Sequence, residues 1–285
     1  MGSSSLNELL FCKLGGSVIT DKDQVSTPRP HVIERLAGEI RAALDTDPSL
    51  RILLGHGSGS FGHVTAQKYH VRQGIGDQDD WWGYAETGAT ASQLNRIVTD
   101  TFIRCHVPVV SIQPSASAQA CGGDLVSMDD RAVREALRHG LVPLVHGDVA
   151  FDSKQGCTII STEAIFAYLA HRLRPARLIL VGEVDGVYDR DPMVDPTARQ
   201  IPRITPASFA RLRAGLGGSH AVDVTGGMLS KIEAMVQLVA QHTVDRVHVL
   251  SGERHGALTR SLIEPDTAGG TVIEDDPPGV RKENL

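Results

Sequence analysis

The sequence predicts an α/β protein in which helices cover both faces of a mainly parallel sheet. Short apolar runs of strand length alternate with segments whose apolar residues recur at helical spacing along nearly all of the 285 residues. Glycine- and serine-rich loops follow several of the apolar runs, and in open α/β sheets such loops join strand ends to helix N-termini. This alternation is typical of βαβ units and therefore of parallel strands.

The first half of the chain supplies most of the predicted elements. Apolar runs bounded by small or polar residues predict strands at 9–16, 51–57, 107–114 and 141–151. Apolar residues at helical spacing predict helices at 30–46, around 64–72, at 84–105 and at 128–140. Gly140 stands at the end of the last helix, where a C-terminal cap is expected.

The second half of the chain continues the alternation of helices and strands, interrupted by the stretch 189–218. The same criteria predict a helix at 162–173, a strand at 176–188, a helix at 226–242 and strands at 245–252 and 270–275. The stretch 189–218 is rich in proline and arginine, and we expect it to form an excursion or lid outside the core. We predict one domain over 6–272, softly divided near Gly182 into parts of about 6–181 and 182–272, followed by a surface tail over 273–285.

Composition excludes several classes of function. The net charge of -6 argues against a nucleic-acid or anionic-membrane partner, since both need a basic surface, and 4% aromatic residues leave little for base stacking. The apolar runs are far shorter than the roughly 20 residues of a membrane-spanning helix. The four cysteines form no C-x-x-C pair, which favours a reducing, cytoplasmic location without a zinc site.

The loop GHGSGSFGH contains the pattern G-x-G-x-x-G of dinucleotide-binding proteins at Gly57, Gly59 and Gly62. That interpretation needs an acidic residue at the end of the next strand, and the acidic stretch 76–86 has no strand before it. Neither a P-loop nor the protein-kinase H-R-D and D-F-G signatures occur. Four loops of small residues, two of them with a lysine, instead predict a site for several phosphate groups, because glycine lets backbone N–H groups approach an anion.

Five segments together resemble the amino acid kinase superfamily, and most closely its isopentenyl phosphate kinases. KLGGSVITDK, HGSGSFGH, HGDV, VDGVYDRDP and DVTGGMLSKI occur in the family's order between Lys13 and about Gly252. The resemblance implies a three-layer αβα sandwich, usually dimeric, that transfers the γ-phosphoryl group of ATP to a small acceptor. It implies isopentenyl phosphate as acceptor, bound by the part before about 182, and ATP with Mg²⁺ bound by the part after it.

The resemblance assigns three lysines to the phosphates, since phosphoryl transfer depends mostly on positioning and charge neutralisation. Lys13 would reach the transferring group, Lys22 would lie near the γ-phosphate, and Lys231 would lie near the β- and γ-phosphates. A solvated surface lysine remains an alternative for Lys22. Backbone N–H groups would be donated to the ATP phosphates by Gly15, Gly16 and Ser17.

His63 ends the second glycine-rich loop. A histidine tends to stand here in family members that use phosphate or phosphonate acceptors, and its imidazole would donate to the acceptor phosphate. A histidine that caps or packs at a helix start is the alternative. The acceptor cradle would comprise Gly57, Ser58, Gly59, Ser60, Gly62, Gly147 and Asp148, with Gly59 also facing the nucleotide. The family usually has glycine where Ser58 stands.

The remaining nucleotide contacts are implied by the last two segments. They are Asp185, Gly186 and Tyr188 beside the adenosine, and Thr225, Gly226 and Gly227 beside the phosphates. Thr162 and Glu163 stand where many relatives have glycine and aspartate. The family aspartate orders the catalytic lysines, and Glu163 could do so from a longer stem, or could simply cap the helix or face solvent.

The acceptor's apolar part would lie against the helix 83–95. Its small residues Ala85, Ala89 and Ala91 could leave room for a five-carbon tail, or could be ordinary packing residues. Mg²⁺ is expected mostly on phosphate oxygens and water, so no protein ligand is assigned. The expected chemistry is direct in-line transfer without a phosphoenzyme. Two alternatives stay open, a phosphonate kinase of the same fold such as a fosfomycin kinase, and a non-catalytic nucleotide-binding or storage protein.

Overall fold

A computed structural model of the chain describes residues 8–75, 81–192, 194–215 and 228–276, and leaves undescribed the side chains at 63, 64, 212–215 and 228. Among these residues, an eight-stranded sheet has the spatial order β12-β14-β13-β9-β1-β2-β6-β3. Its strands are β1 (Leu9–Leu14), β2 (Arg51–His56), β3 (Val109–Ser111), β6 (Val142–His146), β9 (Arg177–Gly182), β12 (Arg203–Ile204), β13 (Arg246–Ser251) and β14 (Thr271–Glu274). Every pairing in it is parallel except that of β13 with β14.

Smaller strands lie beside the main sheet. A four-stranded sheet has the order β5-β4-β7-β8, and a two-stranded ribbon pairs β10 with β11. Their bounds are β4 (Gln119–Cys121), β5 (Asp124–Ser127), β7 (Asp148–Asp152), β8 (Gly156–Ile160), β10 (Val187–Tyr188) and β11 (Gln200–Ile201).

Helices lie on both faces of the main sheet. They are α1 (Gly16–Ile19), α2 (Pro30–Thr46), α3 (Gly59–Lys68), α4 (Trp82–Arg104), α5 (Arg131–Arg138), α6 (Thr162–Leu173), α7 (Pro206–Gly215), α8 (Met228–Ala240) and α9 (Ala257–Ile263). One buried cluster joins the sheet to residues of α2, α4 and α9, and a second joins its other face to residues of α5, α6 and α8. The predicted three-layer αβα arrangement is therefore confirmed.

The central strand β1 shows how the sequence produces these layers. Leu10 and Cys12 belong to the first cluster and Phe11 belongs to the second, because successive side chains of a strand point to opposite faces. A strand covered on both faces needs a continuous apolar run, which the segment LLFCKL supplies.

The carboxyl ends of the central strands lie at one edge of the sheet. Leu14 of β1 is level with His56 of β2 and with Val181 of β9, and His56 is level with His146 of β6. The loops that follow these strands therefore meet at that edge, where the site is built.

Three sequence expectations about strands need correction. The run 176–188 is not one strand, because β9 ends at Gly182 and Val187–Tyr188 form β10 in the separate two-stranded ribbon. The run 141–151 is not one strand, because the chain passes from β6 into β7 at Gly147 and the two strands belong to different sheets. The stretch 189–218 is not simply an excursion. It contributes the edge strand β12 and the helix α7, with Ile204 and Phe209 buried in the second cluster.

Other boundaries also differ. Helix α3 begins at Gly59, five residues before the predicted start near 64, and α9 was not predicted. At the predicted division near Gly182, β9 pairs with β1 on one side and with β13 on the other, and the assignment of the two parts to acceptor and nucleotide stays a prediction. The predicted tail boundary at 272 falls inside β14. No helix among the described residues has the length and apolar character needed to cross a membrane.

Candidate active site

The glycine loops after β1 and β2 interlock backbone to backbone. Gly15 N–H donates to Val181 at 2.8 Å, and Gly57 N–H donates to Leu14 at 3.0 Å. A Cβ on Gly16 would lie 2.3 Å from the backbone nitrogen of Gly59. Only glycine allows this approach, so the two loops present their amide groups side by side at the sheet edge.

Thr20 and Ser60 tie the two loops together. The Thr20 hydroxyl donates to the carbonyl of Gly16 at 2.8 Å and accepts the N–H of Ser60 at 3.0 Å. Gly59 has a φ of +50°, in the left-handed region, and a Cβ there would collide with the Thr20 hydroxyl. A pocket of about 290 Å³ opens beside this junction and is lined by Ser17, Thr20, Lys22, Asp23, Gln24, Val25, Gly59 and Ser60.

Ser58 is the residue before α3, and its side chain packs against Gly62 in the first turns of that helix. Its hydroxyl lies 2.4 Å from the place where a Cβ on Gly62 would stand, so glycine is required at 62. The side chain of His63 lies outside the described residues, although its backbone belongs to α3. The proposed role of His63 therefore stays a prediction.

Glu163 lies between two of the predicted lysines. Its Oε1 is 3.2 Å from Lys13 Nζ and 3.8 Å from Lys231 Nζ. Lys13 and Glu163 are largely buried, whereas the Lys231 side chain is half-exposed. Burial by itself raises the pKa of the Glu163 carboxyl, but the two lysine charges together with the hydrogen bonds that the carboxylate accepts hold its pKa below the usual value. The carboxylate is therefore ionised at neutral pH.

The third predicted lysine has a different partner. Lys22 forms an ion pair with Glu183, and both side chains are substantially exposed. Glu183 follows β9, and its carbonyl accepts the hydroxyl of Ser251 at 2.8 Å. Sequence inspection did not select Glu183, since an acidic residue in a loop carries no mark of its partner.

A cluster of buried polar residues lies at the acceptor side of the sheet edge. The rings of His56 and His146 stack with centroids 5.5 Å apart. Burial lowers the pKa of His56 to about 3, and of His146 to about 4, so both rings are neutral near pH 7. Asp148 is also buried, and its carboxylate accepts the N–H groups of Ser115 at 3.0 Å and Val149 at 2.9 Å.

The environment of Asp148 raises its pKa. Burial is the main cause, and it exceeds the opposing effect of the hydrogen bonds that the carboxylate accepts. Asp148 thus faces the protein interior, while Gly147 beside it is partly exposed and donates its N–H to the carbonyl of His56 at 3.2 Å.

The predicted adenosine loop is held by side chains. Asp185 forms an ion pair with Arg254 and accepts the hydroxyl of Tyr188. Gly186 has a φ of +153°, and a Cβ there would lie 2.6 Å from the Thr271 hydroxyl. Thr225, Gly226 and Gly227 lie outside the described residues.

The face of α4 that points inward is not the one expected. Ala85 and Ala89 are exposed, and only Ala91 of the three alanines is buried. The inward face instead carries Thr87 and Gly88, and a Cβ on Gly88 would lie 3.1 Å from Val149. The helix therefore packs closely on β7 at this point.

The site combines features that suit bound phosphates. Interlocked loops hold backbone amides at a sheet edge with no space for a Cβ, and a buried carboxylate holds two ammonium groups beside them. Backbone amides and lysines are the groups that stabilise charge in phosphoryl transfer. Residues that sequence inspection missed are Thr20, Glu183 and Arg254, together with the hydrogen bond made by Thr162.

Comparisons with known proteins identify the family of the chain. The model of the amino acid kinase family matches residues 8–251. An isopentenyl phosphate kinase of Methanothermobacter thermautotrophicus is 36% identical over 272 residues, which span 93% of this chain and 98% of that protein. A second one, from Methanocaldococcus jannaschii, is 36% identical and covers 79% of this chain and 85% of its own length.

Solved structures give the same picture. A structure of an isopentenyl phosphate kinase has a TM-score of 0.79 and 32% identity, and it covers 93% of this chain and 99% of its own. A product complex of the Thermoplasma acidophilum isopentenyl phosphate kinase has a TM-score of 0.74 and 25% identity, with 93% and 100% covered. A carbamate kinase from Giardia lamblia, 13% identical with a TM-score of 0.68 and covering 94% of this chain and 99% of its own, shares the fold.

Proposed function

The chain belongs to the amino acid kinase family and within it to the isopentenyl phosphate kinases, and from this premise we propose that it transfers the γ-phosphoryl group of ATP to isopentenyl phosphate. The products are isopentenyl diphosphate and ADP. The observation that carries the proposal is the pairing of Glu163 with Lys13 and Lys231 beside the interlocked glycine loops.

In the proposed reaction a phosphate oxygen of the acceptor attacks the γ-phosphorus of ATP, and the bond to the ADP oxygen breaks in line. Both partners are anions, so the site must offset their repulsion as well as align them. Lys13, Lys22 and Lys231 would neutralise the transferring group, and Glu163 would hold two of the lysines without itself reacting.

The acceptor phosphate would lie against the loop after β2. The N–H groups of this loop and the imidazole of His63 would donate to it, and Gly147 would line the same pocket. Mg²⁺ would enter with ATP as part of the substrate, held mainly by phosphate oxygens and water. Transfer is direct, and no side chain of the protein becomes phosphorylated.

A coupled assay of ADP release tests the proposal. The acceptors are isopentenyl phosphate, dimethylallyl phosphate and fosfomycin, each with MgATP. We expect turnover with isopentenyl phosphate that disappears in Lys13→Met. Turnover with fosfomycin alone would reject the proposed acceptor in favour of a phosphonate. Tight ATP binding with no turnover on any acceptor would favour a binding or storage protein.

His63→Ala sharpens the same experiment. If His63 donates to the acceptor phosphate, the variant should bind ATP as the wild type does while its turnover falls by about 100-fold. An equal loss of ATP binding would contradict that role.

The homodimer and the cytoplasmic location stay predictions, and light scattering of the purified protein tests the first of them.

A further inference from the structure

One buried hydrogen bond joins the two sides of the site. The hydroxyl of Thr162 donates to the main-chain carbonyl of His56 at 2.6 Å, and the side chain of Thr162 is almost completely buried. His56 is the last residue of β2 and immediately precedes the acceptor loop. Thr162 is the first residue of α6 and immediately precedes Glu163.

The side chain of Thr162 packs closely against Gly55 and Gly147. Its methyl carbon lies 2.7 Å from where a Cβ on Gly55 would stand, and its hydroxyl lies 3.5 Å from the same point on Gly147. Gly55 is level with Lys13 in the neighbouring strand. The carbonyl that Thr162 binds also accepts the N–H of Gly147, so a single oxygen anchors β2, α6 and the turn after β6.

The first turn of α6, which carries Thr162 and Glu163, is held in place by its N-cap. The Ser161 hydroxyl accepts the N–H of Ala164 at 3.1 Å and caps the helix, and Glu163 projects from this turn toward Lys13 and Lys231. A shift of the turn would therefore move the carboxylate relative to both lysines.

We propose that Thr162 is a positioning residue for phosphoryl transfer, which sets the distance between the Glu163–lysine group and the acceptor loop. This inference rests on the proposed function. In-line transfer between two anions is sensitive to displacements of about 1 Å, so a bond that links the donor machinery to the acceptor loop acts on the rate. A purely structural hydroxyl would change stability without changing the rate.

Thr101 in α4 provides a matched control. It is also a buried threonine whose hydroxyl donates to a main-chain carbonyl, that of Ile97 at 2.8 Å. It lies six residues beyond Asn95, whose amide oxygen is hydrogen-bonded to the ring of His56, or about 9 Å farther along the helix. Thr101→Val and Thr162→Val thus both remove a buried hydroxyl that donates to a main-chain carbonyl. The bond of Thr101 stays within its own helix, and its hydroxyl also accepts from Arg104 at 3.0 Å, whereas the bond of Thr162 joins two elements of the site.

The test is steady-state kinetics with ATP and isopentenyl phosphate, together with thermal unfolding of each variant. We expect Thr162→Val to lower kcat by about 10-fold while the KM for ATP stays within about twofold. Thr162→Ser, which keeps the hydroxyl, should retain most of the rate, and Thr101→Val should be as fast as the wild type.

Several results would overturn the inference. The first is a kcat for Thr162→Val close to that of Thr101→Val, and the second is a loss in Thr162→Ser as large as in Thr162→Val. If Thr162→Val does not fold, Thr162→Ala against Thr162→Ser makes the same comparison, and equal rates reject the role. Wild-type protein without turnover on isopentenyl phosphate rejects the proposed function and this inference with it. An active wild type with an unaffected Thr162→Val rejects the inference alone.

Discussion

The loops of the acceptor side and those of the proposed nucleotide side are held by different forces. The acceptor loop after β2 meets the loop after β1, where Gly59 and Gly16 touch backbone to backbone, and His56 and His146 are buried behind the acceptor loop. On the nucleotide side, the Lys22–Glu183 and Asp185–Arg254 ion pairs hold the loops, and the side chain of Arg254 is 65% exposed.

This difference determines how each region responds to change. Close-packed backbone resists displacement. Its stability is sensitive to added side-chain volume and to protonation of the buried side chains behind it. Exposed ion pairs contribute about 0–1 kcal/mol each and are screened by salt. The acceptor phosphate is thus expected to meet a rigid cradle, and the nucleotide a region that rearranges at low cost.

The largest effect is expected from added volume between the two loops. Gly16→Ala would place a Cβ 2.3 Å from the nitrogen of Gly59, and we expect the free energy of unfolding to fall by about 3 kcal/mol and turnover to be lost. Gly38→Ala is the matched control, because no atom lies within 4 Å of a Cβ there and the residue is helical. It should stabilise the protein by about 0.5–1 kcal/mol. Urea unfolding measures both, and a Gly16→Ala variant as stable as the wild type would show that the loops separate easily.

The next effect concerns the group that joins the two regions. Glu163→Gln keeps the size of the side chain but removes the charge that pairs with Lys13 and Lys231, so kcat should fall by about 30-fold. Because the pKa of Glu163 lies below its usual value, the wild-type carboxylate should stay ionised from neutral to mildly acidic pH and impose no rate loss there.

Glu135→Gln is the control for this variant, since Glu135 pairs with Arg138 on the surface of α5. It should leave kcat unchanged. A Glu163→Gln enzyme within about twofold of the wild type would mean that the lysines need no carboxylate to orient them.

A smaller effect, on the free energy of unfolding, is expected from protonation of the buried histidines on the acceptor side. The pKa of His146 falls from 6.5 to about 4 on folding, so the unfolded chain binds the additional proton as the pH drops below 6.5. The stability due to neutral His146 is fully present above pH 6.5 and is lost progressively down to about pH 4. Between about pH 6.5 and about pH 5.5 the loss should be about 1 kcal/mol for each such histidine.

His146→Phe tests this assignment because it keeps a ring against His56 and removes the titration. Urea unfolding at several pH values should show a shallower acid dependence in the variant, by about 1 kcal/mol over that pH unit. Equal slopes in the two proteins would show that His146 is protonated alike in both states.

The smallest effect is expected on the nucleotide side. Arg254→Ala removes the partner of Asp185, and we expect the KM for ATP to rise by about threefold with kcat and the KM for the acceptor unchanged. Added salt should weaken ATP binding in the wild type more than in the variant. Arg96→Ala breaks an exposed pair with Asp100 on α4 and should change none of these constants. A rise in the KM for the acceptor in Arg254→Ala would contradict the separation of the two regions.

Much of the fold follows from local patterns. Helix α6 has the predicted bounds because its apolar residues recur at helical spacing after Ser161, a good N-cap. The turn at Gly147 was missed because two apolar strands on either side of one glycine look like a single run. The strand β12 was missed because two residues are too few to show a period.

The candidate site likewise has features that the sequence predicts and features that it does not. The loops after β1 and β2 were expected to meet, since parallel strands end at one edge. The partners of the charged residues were not foreseen. Nothing near Lys22 in the sequence points to Glu183, and the replacement of a family glycine by Thr162 does not indicate the hydrogen bond that its hydroxyl donates to the carbonyl of His56.

The sequence by itself determined the alternation of strands and helices, the residues that face the core and the lysines and glycines available at the strand ends. These properties are encoded within a few residues, because burial follows the periods of the strand and the helix. Only the tertiary structure decided which charges pair and which carbonyl Thr162 anchors. Such contacts join residues about 70 to 160 positions apart, and they depend on the order of strands in the sheet, which no local pattern specifies.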